Sequence, residues 1–344
     1  MTEKDNKKTP IGALGKFGLI DHLTRKFEKS DKSTILGIGD DAAVIETGEY
    51  LTLVSTDLLL EGIHFNLIYT PLRHLGYKAV IRGISDIYAM NGTPRQIMIA
   101  FGISSRFTVE QMEEIYEGID LACKKYSIDL AGGDTTSSLT GLTISVTAVG
   151  TVEKKKLVKR NGARANDLIC VTGDFGASFM GLQLLERERK LFVKEKVSQP
   201  DLSGYEYVIE RQLKPEIQVD VLAALDKAGI IPTAMIDVSD GLVSDLLHIC
   251  KESASGCRIY YGKIPVDHET SRLADEFKID HLVPALNGGE DYEMLFTVAL
   301  EQYEKIRGLS SVKVIGHITD KESGKYLVGE DGTEVELKAQ GWGG

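Results

Sequence analysis

No C-x-x-C pair occurs among the four cysteines, Cys123, Cys170, Cys250 and Cys257, which lie mostly in apolar surroundings. That pattern excludes zinc-type spacing, and four thiols in a chain of 344 residues do not make a disulfide scaffold. Reduced, buried cysteines in a cytoplasmic protein are the expectation. No apolar run reaches the roughly eighteen residues that a membrane span requires. The polar, lysine-rich residues 1–10 are not followed by an apolar core of signal-peptide type. A basic stripe is missing as well: the formal net charge of −11 argues against a nucleic-acid surface. The G-x-x-x-x-G-K-[ST] phosphate loop is absent, because residues 12–16 have the wrong spacing, and no H-E-x-x-H occurs. Asp174-Phe175-Gly176 copies the metal motif of protein kinases, but their H-R-D and A-P-E segments are lacking. It reads instead as a turn feeding a helix.

What is present is acidic. Seven carboxylates stand in five short segments flanked by glycine or hydroxyl residues. These are Gly37-Ile38-Gly39-Asp40-Asp41, Ser55-Thr56-Asp57, Ser85-Asp86, Gly132-Gly133-Asp134-Thr135-Thr136 and Asp237-Val238-Ser239-Asp240-Gly241. Each alone is an ordinary turn signal. Brought together, they would repel one another unless hard cations such as Mg²⁺ intervened, and Mg²⁺ is typically held by carboxylates together with substrate phosphates. The pattern therefore points to metal-dependent phosphoryl transfer.

The length favours two domains. Residues 14–27 have helical periodicity, and short β-branched runs at 34–38, 42–45 and 51–55 read as strands. Residues 71–90 form a long helical candidate and 96–103 a strand. Thr108, with Gln111 three residues on, opens a helix to 126, and 142–152 alternates as a strand. The basic segment 153–164 is a natural boundary. Beyond it, strands are expected at 168–172, 235–238, 258–261, 294–298 and 312–318, with helices at 177–187, 216–227 and 241–252. Strict βαβ alternation is poor in the first half, which favours an α+β class: two mixed domains rather than one doubly wound sheet. The divisions are a leader at 1–13, an N-terminal domain at 14–152 and a C-terminal domain at 153–344.

Gly37 to Ala42 fits a loose dinucleotide fingerprint, but two carboxylates and a following strand argue for a cation-binding corner. Ser55-Thr56-Asp57 is placed at the end of a strand, with Ser55 and Asp57 on one face. Asp86 lies within an apolar helix, where Arg82 or a metal would have to compensate it; the metal is preferred. The two glycines before Asp134 would let backbone amides approach a phosphate. Asp237 and Asp240 are placed at the start of a helix. His64 follows Asp57 closely, Glu290 sits in Gly288-Gly289-Glu290-Asp291-Tyr292-Glu293, and the lone Trp342 stands in a glycine-rich tail.

In this order the segments GIGDDAAV, STDLLLEGIHF, ISDIYAMNGTP, AGGDTT, VKRNGARANDLICVTG, IDVSDGLVSDLLHI and NGGEDYEMLFTV resemble the thiamine-monophosphate kinases. That family lies within the superfamily of aminoimidazole ribonucleotide synthetase, selenophosphate synthetase and a hydrogenase-maturation protein. The likeness runs from about Phe17 to the C-terminus; STD-x-L with G-x-HF, GGDTT and GGEDYE are its more specific parts. It implies transfer of the γ-phosphoryl of ATP to thiamine monophosphate. By the same likeness Asp40, Asp41, Ser55, Thr56, Asp57, Asp86, Asp134, Asp237 and Asp240 hold several Mg²⁺ ions. Tyr116, Gly133, Asp134, Arg160 and Ser239 contact ATP, and His64, Glu290 and Trp342 contact the thiamine phosphate. It also implies a homodimer in which the mainly antiparallel N-terminal sheets pair. The acceptor phosphate needs no strong base, so no catalytic base and no phosphoenzyme are expected. Two rivals are a synthetase of the same superfamily and a non-catalytic metal-binding scaffold.

Overall fold

The computed structural model describes residues 10, 13–195 and 202–339. The leader before residue 10 and Trp342 lie outside the described residues.

The first half builds α1 (Gly15–Thr24), β1 (Thr34–Leu36), β2 (Ala43–Glu46), β3 (Tyr50–Leu60), α2 (Leu72–Ala89), β4 (Thr93–Ile103), α3 (Val109–Tyr126), β5 (Asp129–Ser137) and β6 (Thr143–Glu153). Its six strands run in the order β1-β2-β3-β6-β4-β5. All neighbours are antiparallel except β4 and β5, which form the parallel pair flanking α3. The Thr108–Gln111 capping box forms, and Ser127 closes α3 in a left-handed conformation. Helices α2 and α3 meet closely because Gly76 and Gly118 carry no side chains. A Cβ on Gly76 would lie 2.0 Å from the Ile115 carbonyl oxygen, and one on Gly118 1.8 Å from that of Arg73.

The second half contains β7 (Leu168–Thr172), α4 (Ala177–Glu195), α5 (Glu206–Leu213), α6 (Val219–Lys227), β8 (Ala234–Asp237), α7 (Leu242–Glu252), β9 (Ser255–Tyr260), α8 (His268–Glu276), α9 (Leu282–Asn287), β10 (Met294–Val298), α10 (Tyr303–Arg307), β11 (Val312–Asp320), β12 (Lys325–Val328) and β13 (Glu334–Glu336). Its seven strands run β13-β12-β9-β11-β7-β10-β8, with only β12 and β9 parallel.

Helix α2 is apolar on nearly every side because it is covered on nearly every side. Ile81, Ile84 and Ile87 share one core with Leu53 and Val146 of the first sheet and with Met235 and Phe296 of the second. Charges within such a helix stand where the two sheets converge.

Several boundaries differ from the sequence reading. Strand β3 runs on to Leu60, so Ser55-Thr56-Asp57 lies inside it rather than at its end. The Gly132–Thr136 segment is not a loop after a strand but part of the edge strand β5, whose polar composition concealed it. Asp237 ends β8 and α7 begins only at Leu242, so Asp237 is a strand-end residue and not a helix-start one. Helix α1 stops at Thr24, and the strand placed at 34–38 stops at Leu36. Strands β12 and β13 and helices α5, α8, α9 and α10 are all short and were not anticipated.

Candidate active site

Alternation along β3 turns Leu51, Leu53, Ser55, Asp57 and Leu59 toward α2. Ser55 Oγ donates to the Gly83 carbonyl at 3.1 Å, seating the strand against the helix. Asp57 next to it accepts from Arg82 Nε at 3.0 Å. One turn further along α2 stands Asp86. Across from it, Asp237 at the end of β8 accepts from Ser85 Oγ at 2.6 Å. Asp41 arrives from the turn before β2. One carboxylate oxygen each from Asp41, Asp86 and Asp237 lies within 4.8 Å of the others, so three distant segments converge on one point.

Cations surround this cluster. Arg160 pairs with Asp41 through Nε at 3.2 Å and also through its terminal nitrogen. Its backbone amide donates to Asp40 Oδ2 at 3.3 Å, and the Asp41 amide donates to Asp40 Oδ1 at 3.0 Å. Lys16 of α1 reaches Asp240 Oδ2 at 2.6 Å. Ser239 Oγ approaches Asp237 Oδ1 at 3.4 Å.

Burial pushes the Asp41 carboxyl up to about 7, with the Asp237 and Asp40 charges adding to the effect against Arg160. Asp86 is raised well above the usual carboxylate range by burial and then by Asp57, Asp237 and Asp41. Asp237 is raised by burial and by Asp57, while its Ser85 bond opposes. For Arg160 burial works against the charge, and the Asp41, Asp40 and Asp237 carboxylates together more than offset it. Asp41 Oδ2 and Asp57 Oδ2 are buried with no hydrogen-bond partner. Orphaned, mutually repelling carboxylate oxygens facing one cavity are the donor set that a hard divalent cation takes.

The cavity is small, about 140 Å³, and is lined by Asp41, Asp57, Asp86, Arg160, Asp237 and Asp240 together with Lys16, Arg82, Ser239, Asp245 and Tyr292. It suits ions and phosphate groups; a pocket for a whole drug-sized ligand usually exceeds about 300 Å³.

Not every anticipated residue comes here. The Thr56 hydroxyl points to the opposite, exposed face of the sheet, 3.2 Å from that of Thr147. The register sets Asp57, Val146, Ile99 and Gly133 in one transverse row. Three strand spacings, about 14 Å, therefore separate Asp57 from Gly133. Gly133, Asp134 and Tyr116 line a separate open groove of about 550 Å³ along β5. Tyr116 packs on Phe101 there, with ring centroids 5.6 Å apart.

His64 accepts from the Leu60 amide through Nδ1 at 3.0 Å, and burial followed by Arg82 holds its pKa below the usual value. Glu290 lies beside it. Its backbone is left-handed, with φ 56°, and Lys78 Nζ meets Oε2 at 2.9 Å. Burial alone would raise the Glu290 pKa, but Lys78 and Arg82 bring it below the ordinary value.

Lys78, Asp245 and Tyr292 were not singled out from the sequence, and Arg82 was weighed only as a partner for Asp86. The structure instead pairs Arg82 with Asp57. Asp245 caps the turn before α7, accepting from the amides of Asp240 and Gly241 at 3.2 and 3.1 Å. One signal was legible: Lys78, Arg82 and Asp86 recur every fourth residue inside an apolar helix, which puts them on one side.

The N-terminal domain family of AIR synthase related proteins matches residues 39–152, and the corresponding C-terminal domain family matches 164–329. Thiamine-monophosphate kinase of Bacillus subtilis is 33% identical over 340 residues, covering 96% of this chain and 99% of its own. The enzyme of that name from Buchnera aphidicola subsp. Schizaphis graminum is 36% identical, over 91% and 93%. The solved structure of AaThiL complexed with AMPPCP and TMP is similar at a TM-score of 0.82 and 32% identity, covering 98% of this chain and 99% of that one. With a shared two-domain fold and nearly full-length likeness, the chain belongs to the thiamine-monophosphate kinase family.

Proposed function

We propose that this protein phosphorylates thiamine monophosphate with ATP, yielding thiamine diphosphate and ADP by direct in-line transfer. The observation that carries this reading is the convergence of Asp41, Asp86 and Asp237 on one point, in a chain similar to a kinase solved with an ATP analogue and TMP. Both reactants present phosphates, so the barrier is chiefly anion repulsion and alignment.

Asp41, Asp57, Asp86 and Asp237 are the side chains that would hold Mg²⁺, joined by Asp240 from the other wall. Bound there, Mg²⁺ neutralises phosphate charge and keeps the two phosphates in register. Asp40 is already occupied by two backbone amides, and Ser55 by the Gly83 carbonyl, so they act as supports for that set. Arg160 and Ser239, at the cavity wall, meet the nucleotide phosphates. The cavity is too small for the nucleoside, which extends toward the groove of Tyr116, Gly133 and Asp134. Asp134 then addresses metal or nucleotide from that side. His64 and Glu290 hold the thiamine end, with Trp342 as a further contact to it. No side chain serves as a base, since the acceptor phosphate is already nucleophilic.

The same reading includes a homodimer formed through the sheet face opposite α2. Leu58 and Met98 are exposed there, and every residue of the edge strand β5 is exposed. It also includes a domain boundary within 153–164 and a cytoplasmic setting, in keeping with four free cysteines. Among the described residues no helix is long and apolar enough to cross a membrane.

The test is purified protein with ATP, thiamine monophosphate and Mg²⁺, followed by separation of the products. Equal amounts of ADP and thiamine diphosphate are expected, and neither when EDTA replaces Mg²⁺. ADP without thiamine diphosphate would favour a synthetase of the same superfamily. No turnover with any phosphate acceptor would favour a scaffold.

A further inference from the structure

The segment Gly289–Glu293 stands between two buried charge groups and is bent unusually. Gly289, Glu290 and Tyr292 all have left-handed backbones, with φ of 72°, 56° and 53°. For Glu290 and Tyr292 that conformation is unfavourable, and such strain collects where a structure is held for function. Backbone bonds anchor the segment: Glu290 N to Ser239 O at 2.9 Å and Tyr292 N to Val238 O at 3.0 Å. Side chains alternate between the two groups. Asp291 accepts from the Gly176 amide at 3.1 Å and Glu293 meets Arg211 at 2.9 Å, both away from the carboxylate cluster. Glu290 and Tyr292 turn toward Arg82 and the cluster.

Lys78 is the residue that holds Glu290 in this position. It is 2% exposed, deep in α2. Its ammonium donates to the Gln212 carbonyl at 2.9 Å and to Glu290 Oε2 at 2.9 Å. Arg82 forms a longer ion pair with Oε1 at 3.7 Å, beyond hydrogen-bond range, so Oε1 keeps its acceptor capacity. A carboxylate repels an acceptor phosphate and favours a cation or an N–H donor, and the acceptor carries a cation in its thiazolium ring.

Building on the kinase reading above, we infer that Lys78 is a positioning residue that fixes the Glu290 carboxylate to receive the cationic ring of the phosphate acceptor. Lys78 does not touch the reacting phosphates. It acts through Glu290, so its contribution belongs to the acceptor and not to the nucleotide.

The test is a mutant cycle on the full-length protein: Lys78→Met, Glu290→Gln and the two together. KM for thiamine monophosphate, KM for ATP and kcat are measured with Mg²⁺, and acceptor binding is followed by calorimetry without ATP. Each single variant is expected to raise the acceptor KM and Kd at least tenfold while KM for ATP moves less than twofold. The double variant is expected to be no worse than either single one. Because Lys78→Met takes from the partly buried Glu290 its nearest cation and risks misfolding, the double variant, which removes both charges, keeps the comparison available. Unchanged acceptor affinity in folded Lys78→Met, or additive losses in the double variant, would overturn the inference and leave the kinase reading standing. A wild-type protein that neither binds nor phosphorylates thiamine monophosphate would overturn both.

Discussion

Ser85 Oγ donates a 2.6 Å hydrogen bond to Asp237 Oδ2, tying the interior of α2 to the end of β8 across 152 residues of chain. This bond joins the two sheets at the point where their carboxylates meet. It also sets the position of one of the three residues on which the proposed metal site rests.

Ser85→Ala removes the donor and leaves Asp237 buried with the Ser239 hydroxyl, at 3.4 Å, as the side-chain donor still beside it. A buried acceptor stripped of its partner costs about 1–3 kcal/mol. We expect urea unfolding to show a loss of that order, with weaker stabilisation by Mg²⁺. Unchanged stability and unchanged response to Mg²⁺ would show that the bond does not position Asp237.

The acidic cluster makes stability depend on pH in a direction set by its raised pKa values. Asp41 titrates near 7 in the folded chain against an ordinary value near 3.8. Between those values the folded state holds a proton that the unfolded state has released, so stability falls as pH rises through this window. In EDTA the melting temperature of the wild type, taken relative to that of Asp41→Asn, is expected to decline from pH 4 to pH 7. With Mg²⁺ the decline should shrink or reverse, and binding near pH 6 should release protons measurable by calorimetry in two buffers. A wild-type melting temperature that rises with pH relative to Asp41→Asn in EDTA would contradict the repulsive cluster.

Asp86→Asn and Asp134→Asn should separate two kinds of acidic residue. Asp86 is crowded by Asp57, Asp237 and Asp41, whereas Asp134 is exposed on an edge strand. Both substitutions are expected to reduce kcat by two orders of magnitude or more. Only Asp86→Asn should raise the melting temperature in EDTA, because it removes a buried carboxyl that folding must either protonate or keep charged among like charges. Full activity in either variant would remove that residue from the proposed site.

Gly118→Ala probes the frame rather than the chemistry. Its new Cβ would stand 1.8 Å from the Arg73 carbonyl oxygen, so α2 and α3 would have to separate. Overpacking of this kind costs about 1–3 kcal/mol or more. The expected result is a lower melting temperature with activity falling in parallel as α2 shifts Asp86. A wild-type melting curve would mean that the helices do not meet this closely in solution.

Much of the site was legible because its parts are local. The Thr108–Gln111 capping box, the apolar helix containing Asp86 and the glycine turn into α4 all depend on neighbours a few residues away, and all three formed. The acidic segments could be identified individually and their shared chemistry inferred from their number. Elements that depend on distant partners escaped. Strand β5 reads as a polar glycine turn and becomes a strand only because β4 offers it an edge. Asp237 looks like a helix start, but β10 pairs with it and extends β8 through it. Lys78 lies within the apolar helix without a local partner, and only Gln212 and Glu290, 134 and 212 residues away, give it a place.

The order of residues by itself determined which side chains were available: a surplus of aspartates beside glycines, no nucleophile–base pair, and an α2 too apolar to lie on a surface. Only the tertiary structure decided which aspartates meet. Asp41, Asp86 and Asp237 are neighbours because two sheets bury opposite sides of α2, whereas Thr56 and Asp134 are carried away by strand alternation and sheet order. The physical reason is that hydrophobic burial acts over long sequence separations and positions charged groups whose own mutual repulsion would keep them apart.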